Sequence, residues 1–75
     1  MEILSQNLLI LRKRRKLSRE AVARALEMSA MTYRRYEKNL RDPTALVLVK
    51  LAKFYGVTLD QLAGLVPLPL EEEHQ

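Results

Sequence analysis

The chain has 75 residues, no cysteine and a formal charge of +4. That is room for one small domain without a disulfide or thiolate metal site to staple it, so its stability has to come from packed helix faces. A hydrophobic share of 48% excludes disorder throughout, and no apolar run approaches the length of a membrane span. With no signal-peptide pattern at its start, the chain is expected to be cytoplasmic. Glu71, Glu72 and Glu73 concentrate negative charge near the end, so the remainder carries +7, most of it between Arg12 and Arg41. A local excess of this kind attracts polyanions.

A first helix is expected over about Ser5 to Arg15. Leu4, Leu8 and Leu11 follow the i, i+4, i+7 spacing of a buried stripe, and Leu17 closes it. The basic run from Arg12 to Lys16 suits the negative end of a helix dipole and needs no partner on that account alone. Ser18 then offers an N-cap, Glu20 suits the first turn, and Val22, Ala23 and Leu26 share one face. Ser29 offers another cap three residues after Leu26. The helix it opens carries Tyr33 and Tyr36 together. Helices joined this tightly must cross steeply, with a small side chain, Ala23, at the crossing. At 100° per residue, Ser29, Tyr33, Tyr36 and Glu37 fall inward, whereas Ala30, Met31, Arg34, Arg35 and Lys38 fall outward. The outward side is largely basic.

Residues 39–42 read as a loop, with Asn39 suited to a left-handed helix end. A fourth helix is capped by either Asp42, followed by Pro43, or Thr44. It buries Leu48, Leu51, Ala52 and Tyr55 and stops at Gly56. Thr58 to Gln61 forms a capping box for a short fifth helix with Leu59, Leu62 and Ala63, ended by Gly64. Pro67 and Pro69 then forbid a helix. The expected division is a folded domain over residues 1–66 and an acidic, flexible tail over 67–75.

These pieces are in register with a known pattern: L-R at Leu11 and Arg12, L-S-R-E at Leu17 to Glu20, V-A-R-A-L at Val22 to Leu26, Y-R-R-Y-E at Tyr33 to Glu37, and L-A-K-F-Y-G-V-T-L-D-Q-L at Leu51 to Leu62. From about Leu4 to Leu62 the chain resembles the Cro/repressor-type, or Xre-like, helix-turn-helix family of phage and bacterial regulators. The resemblance implies an all-α, compact five-helix, lambda-repressor-like DNA-binding domain with the helix-turn-helix at helices 2 and 3. It also implies an Arg12–Glu37 pair tying the first helix to the recognition helix. Two departures stand out: Glu27 sits where the family usually has glycine, and Arg19 where it usually has glutamine. Glu27 therefore requires either a non-glycine residue at positive φ or a slightly different turn.

The function implied is a transcriptional regulator, most simply a repressor, that reads the major groove of double-stranded DNA as a homodimer. Base contacts are expected from Ser29, Ala30, Met31, Arg34 and Arg35, with arginine able to take guanine O6 and N7 together. Phosphate contacts are expected from Arg12, Lys13, Arg15, Lys16, Ser18, Arg19, Thr32, Lys38 and Arg41, and from backbone N–H groups opening helices 2 and 3. Ala23, Tyr33, Tyr36, Arg12 and Glu37 are expected to be structural. Helix 5 and the tail are the expected dimer contact, with Leu9, Ile10, Leu46 and Val47 either thickening the core or joining that face. Three other roles are weighed. One is an antitoxin or bridging module with a toxin or coregulator as protein partner. Another is membrane-surface binding by the basic, apolar first helix, set aside because the core needs Leu4, Leu8 and Leu11. The last is catalysis, for which no cofactor, metal site or catalytic group is expected, since His74 and the glutamate cluster lie on the tail.

Overall fold

In a computed structural model, which describes residues 1–71, the chain forms α1 (Glu2–Arg14), α2 (Arg19–Ala25), α3 (Ala30–Glu37), α4 (Ala45–Tyr55) and α5 (Leu59–Ala63). The all-α, five-helix expectation holds. The core gathers one face from each helix: Leu4, Leu8 and Leu11; Val22 and Ala23; Tyr33 and Tyr36; Leu51, Ala52 and Tyr55; and Leu62, with Leu26 closing the turn after α2. Leu17, Leu48 and Val47 pack half-buried around it, whereas Leu59 of α5 is 47% exposed.

Four of the five helices open on a side-chain cap: Ser18, Ser29, Thr44 and Thr58 each accept the N–H three residues on. Thr44, not Asp42, therefore starts α4. Thr58 and Gln61 complete the expected capping box, the Gln61 side chain accepting the Thr58 N–H at 3.0 Å. α1 begins at Glu2, earlier than the expected Ser5. The reason is tertiary: the buried Ser5 hydroxyl does not cap α1 but donates to the Tyr36 carbonyl at the end of α3.

Every helix ends in the same way. A residue at positive φ turns the chain, and the next N–H reaches back five residues to a helix carbonyl. The turning residues are Lys16, Glu27, Asn39, Gly56 and Gly64. The closing bonds are Leu17 to Arg12, Met28 to Ala23, Leu40 to Arg35, Val57 to Ala52 and Leu65 to Asp60. Glu27 thus takes φ 60° itself, keeping the usual turn without the usual glycine. At Gly64 the need for glycine is double, because φ is 88° and a Cβ would overlap the Ile3 side chain of α1. Asn7 fixes the same approach by donating to the Gln61 and Leu62 carbonyls at 3.1 Å.

The segment just past residue 66 continues against the helices. Leu68 packs against the core, and Arg14 Nη1 donates to the Pro69 carbonyl at 2.8 Å, so the proline segment runs back along α1. Leu9 and Ile10 stay exposed beside it rather than thickening the core. His74, Glu72 and Glu73 lie outside the described residues.

Candidate nucleic-acid interface

α3 is held from behind by a buried polar hub. Tyr33 and Tyr36 are 0% and 4% exposed, and the Tyr33 and Tyr55 hydroxyls share a hydrogen bond of 2.6 Å between α3 and α4. Glu37, the last residue of α3, accepts Arg12 Nε at 2.6 Å and Arg12 Nη2 at 3.0 Å, the fork geometry of a bidentate pair. Burial would raise the Glu37 carboxyl. Its bonds with Arg12 and Arg19 and the adjacent Tyr33 hydroxyl more than reverse this, leaving it below the usual carboxylate range. The bond to Glu37 raises Arg12 against the opposing effect of burial. Burial pushes the Tyr55 phenol up to about 12 and raises Tyr33 as well, so both remain protonated donors.

The opposite side of α3 is open. Met31 is 53% exposed, and Arg34, Arg35 and Lys38 are exposed with no side-chain hydrogen bond or ion pair among the described residues. Two positions at the helix start differ from the periodic reading. Ala30, expected outward, is half-buried against the core, and Ser29, expected inward, is exposed as the cap. Ser29 is the cap and lies off the helical cylinder, whereas Ala30 is inside α3, three and seven residues before Tyr33 and Glu37, so the 100° step itself sets it at the edge of the buried side and its outward assignment is corrected. Thr32 is half-buried and bonded to Ser29 through both its N–H and its hydroxyl.

The basic run after Leu11 divides. Lys13 and Lys16 are exposed, as are Ser18 and Arg41. Arg12 is not available for phosphate: its side chain is 10% exposed, and Nε, Nη1 and Nη2 are committed to Glu37 and the Leu17 carbonyl. Its assignment as a phosphate contact is therefore corrected to that of an internal tie. Arg15 also faces its own chain, donating from Nη1 to the Phe54 carbonyl at 2.9 Å and lying 5.6 Å from the Phe54 ring centre. Arg19 departs in another way, since its Nε binds Glu37 Oε1 at 3.0 Å. Sequence spacing carried no signal for Arg14, Arg15 or Arg19, whose partners lie far along the chain.

The grooves along α1 are lined by the tail and the end of α4, and none includes a residue of α3. The outward arginines are thus not covered by the described part of the C-terminal segment. No helix among the described residues is long and apolar enough to cross a membrane.

An exposed basic flank lies on a helix braced by its neighbours. Comparison with known proteins gives the family. Residues 8–62 match the family model described as helix-turn-helix. Over 54 residues the chain is 41% identical to the cryptic phage CTXphi transcriptional repressor RstR of Vibrio cholerae, a match covering 72% of this chain and 49% of the relative. The chain thus spans about half the length of that curated relative. No solved structure gives a significant match. The match takes in both helices of the turn and the hub behind them, and the chain belongs to the helix-turn-helix family of DNA-binding domains.

Proposed function

We propose that the protein is a sequence-specific transcriptional repressor that binds double-stranded DNA as a homodimer, with α3 in the major groove. The observation that carries this reading is the pair Arg34 and Arg35, exposed and without an internal partner among the described residues, on a helix whose inner side is buried. Ser29, Ala30, Met31, Arg34 and Arg35 read bases, with the arginines supplying most of the discrimination. Lys13, Lys16, Ser18, Arg19, Thr32, Lys38 and Arg41 meet the phosphates. Repression is the simplest outcome of occupying a promoter, and the name of the relative supports it.

One reading head touches few base pairs, so two copies on half-sites about one helical turn apart are expected. Exposed apolar residues on α5 and the tail support this arrangement: Leu59 at 47%, Leu65 at 76%, Val66 at 43% and Leu70 at 92%, with Ile3 at 51% beside them. Selecting bound duplexes from random DNA at two salt concentrations tests the whole proposal. A two-fold motif with guanine at the positions facing the arginines is expected. Recovery of unselected sequence at every salt, or a strictly monomeric chain on and off DNA in ultracentrifugation, would overturn it.

A further inference from the structure

We infer that Asn7 determines which half-site spacing the protein accepts, by fixing how α5 is set against α1. The inference deepens the dimer reading above and rests on it: α5 and the tail carry the contact between copies, and α3 reads the DNA. Between those two working surfaces stands α1. It reaches α3 through the Ser5 hydroxyl on the Tyr36 carbonyl and through Arg12 on Glu37. It reaches α5 through Asn7, whose side-chain amide donates to the Gln61 and Leu62 carbonyls at 3.1 Å each. Among the described residues no hydrogen bond or ion pair joins α3 to α5 directly. The path from one surface to the other therefore runs through α1.

α5 needs that tie. It is five residues long, too short to be held by its own ladder of backbone bonds, and of those residues Leu62 alone is buried. One buried side chain fixes a helix at a point and leaves it free to swivel. Gly64, bare against Ile3, sets how closely α1 and α5 approach. Asn7 sets the angle, because its two amide hydrogens take two successive carbonyls of the last turn, where a helix lacks partners for its acceptors. The leverage is large. A swivel of about 10° carried across a domain 25 Å wide moves its far side by about 4 Å, roughly one base-pair step of about 3.4 Å. Asn7 reads no base; it is a positioning residue acting through α5.

The test uses duplexes carrying the selected half-site once, or twice at separations stepped by one base pair. Binding of the wild type, Asn7→Ala and Asn7→Asp is measured on each, with the melting midpoint of each protein. Asn7→Ala removes both donors, and Asn7→Asp removes them at nearly constant shape. The wild type should favour one separation by about tenfold over its neighbours, the size of one mismatched base pair. Both variants should keep the motif and the single-half-site affinity, while that preference falls to about two- to threefold. A merely structural asparagine would lower the melting midpoint and weaken binding evenly at every separation. Spacing discrimination equal to wild type in either folded variant overturns the inference and leaves dimeric recognition standing. A wild-type chain indifferent to separation, or bound only to single half-sites, overturns both.

Discussion

The protein has two clusters of arginine, alike in sequence and opposite in setting. Along α1 and its end, Arg12, Arg14 and Arg15 each donate to an acceptor of the chain itself, the buried Glu37 carboxylate and, at the surface, the Pro69 and Phe54 carbonyls. On α3, Arg34 and Arg35 have no such partner among the described residues. The difference is one of neighbourhood. The α1 arginines lie beside the end of α4 and the returning tail, where carbonyls need donors. The α3 arginines lie on the side opposite the hub, where the described residues supply none. Basic density alone does not leave a free donor; what matters is whether the chain's own acceptors already satisfy it.

The largest effect should come from breaking the internal cluster at its centre. Glu37→Ala strands the buried Arg12, and equilibrium denaturation should show a loss of about 3–5 kcal/mol. The pH dependence has a definite sign. Because the folded-state carboxyl is lowered from its ordinary 4.5, its stabilisation is present above that value and is lost as pH falls below it, through the lowered folded value. Glu37→Gln should remove this share of the acid sensitivity. An unaltered midpoint and an unaltered acid limb would show that the hub does not hold α3.

On the external cluster the losses should be in binding rather than folding. Arg35→Ala should cost about 1–3 kcal/mol on the preferred duplex and relax the preference there. Its folding stability should stay within about 0.5 kcal/mol of wild type, as for an exposed side chain without partners. A sequence logo identical to wild type would remove Arg35 from the readers. Arg15→Ala sharpens the contrast from the other side. Its exposed bond to Phe54 should be worth about 1 kcal/mol of stability or less, and its removal should leave the sequence preference unchanged.

Much of this division was legible from sequence, but not its internal half. The inner and outer sides of α3 follow from a 100° step within one helix, so Tyr33, Tyr36, Arg34 and Arg35 fell where expected. Ser29 did not, because a cap lies off the helical cylinder, and Ala30 did not, because it stands three and seven residues before Tyr33 and Glu37 and so borders the buried side. The pairing of Arg12 with Glu37 came through the family resemblance and not through spacing, since 25 residues separate them. Nothing local marked Arg15 for Phe54, 39 residues on, or Arg14 for Pro69, 55 residues on. Periodicity says which face of a helix is buried; it does not say whose carbonyl lies beyond the end. Ser5 shows the same limit, because a hydroxyl that looks like a cap was taken by α3.

The smallest expected effect concerns the turn between α2 and α3, which sets the angle of the reading helix. Lys16, Glu27 and Asn39 all hold positive φ, at 57°, 60° and 59°, and each closes a helix by the same reach-back bond. All three carry a Cβ that crowds the following carbonyl, but the short polar side chain of asparagine can hydrogen-bond locally, so it tolerates that region best. Glycine relieves the crowding but gains freedom in the unfolded chain, so the net change is smaller than the strain. Glu27→Gly should therefore raise stability by about 0.5–1 kcal/mol, Lys16→Gly by a similar amount, and Asn39→Gly by less. The turn geometry is already that of a glycine, so DNA affinity should not change. A destabilised Glu27→Gly variant would mean that the Glu27 side chain contributes something its exposed position does not suggest.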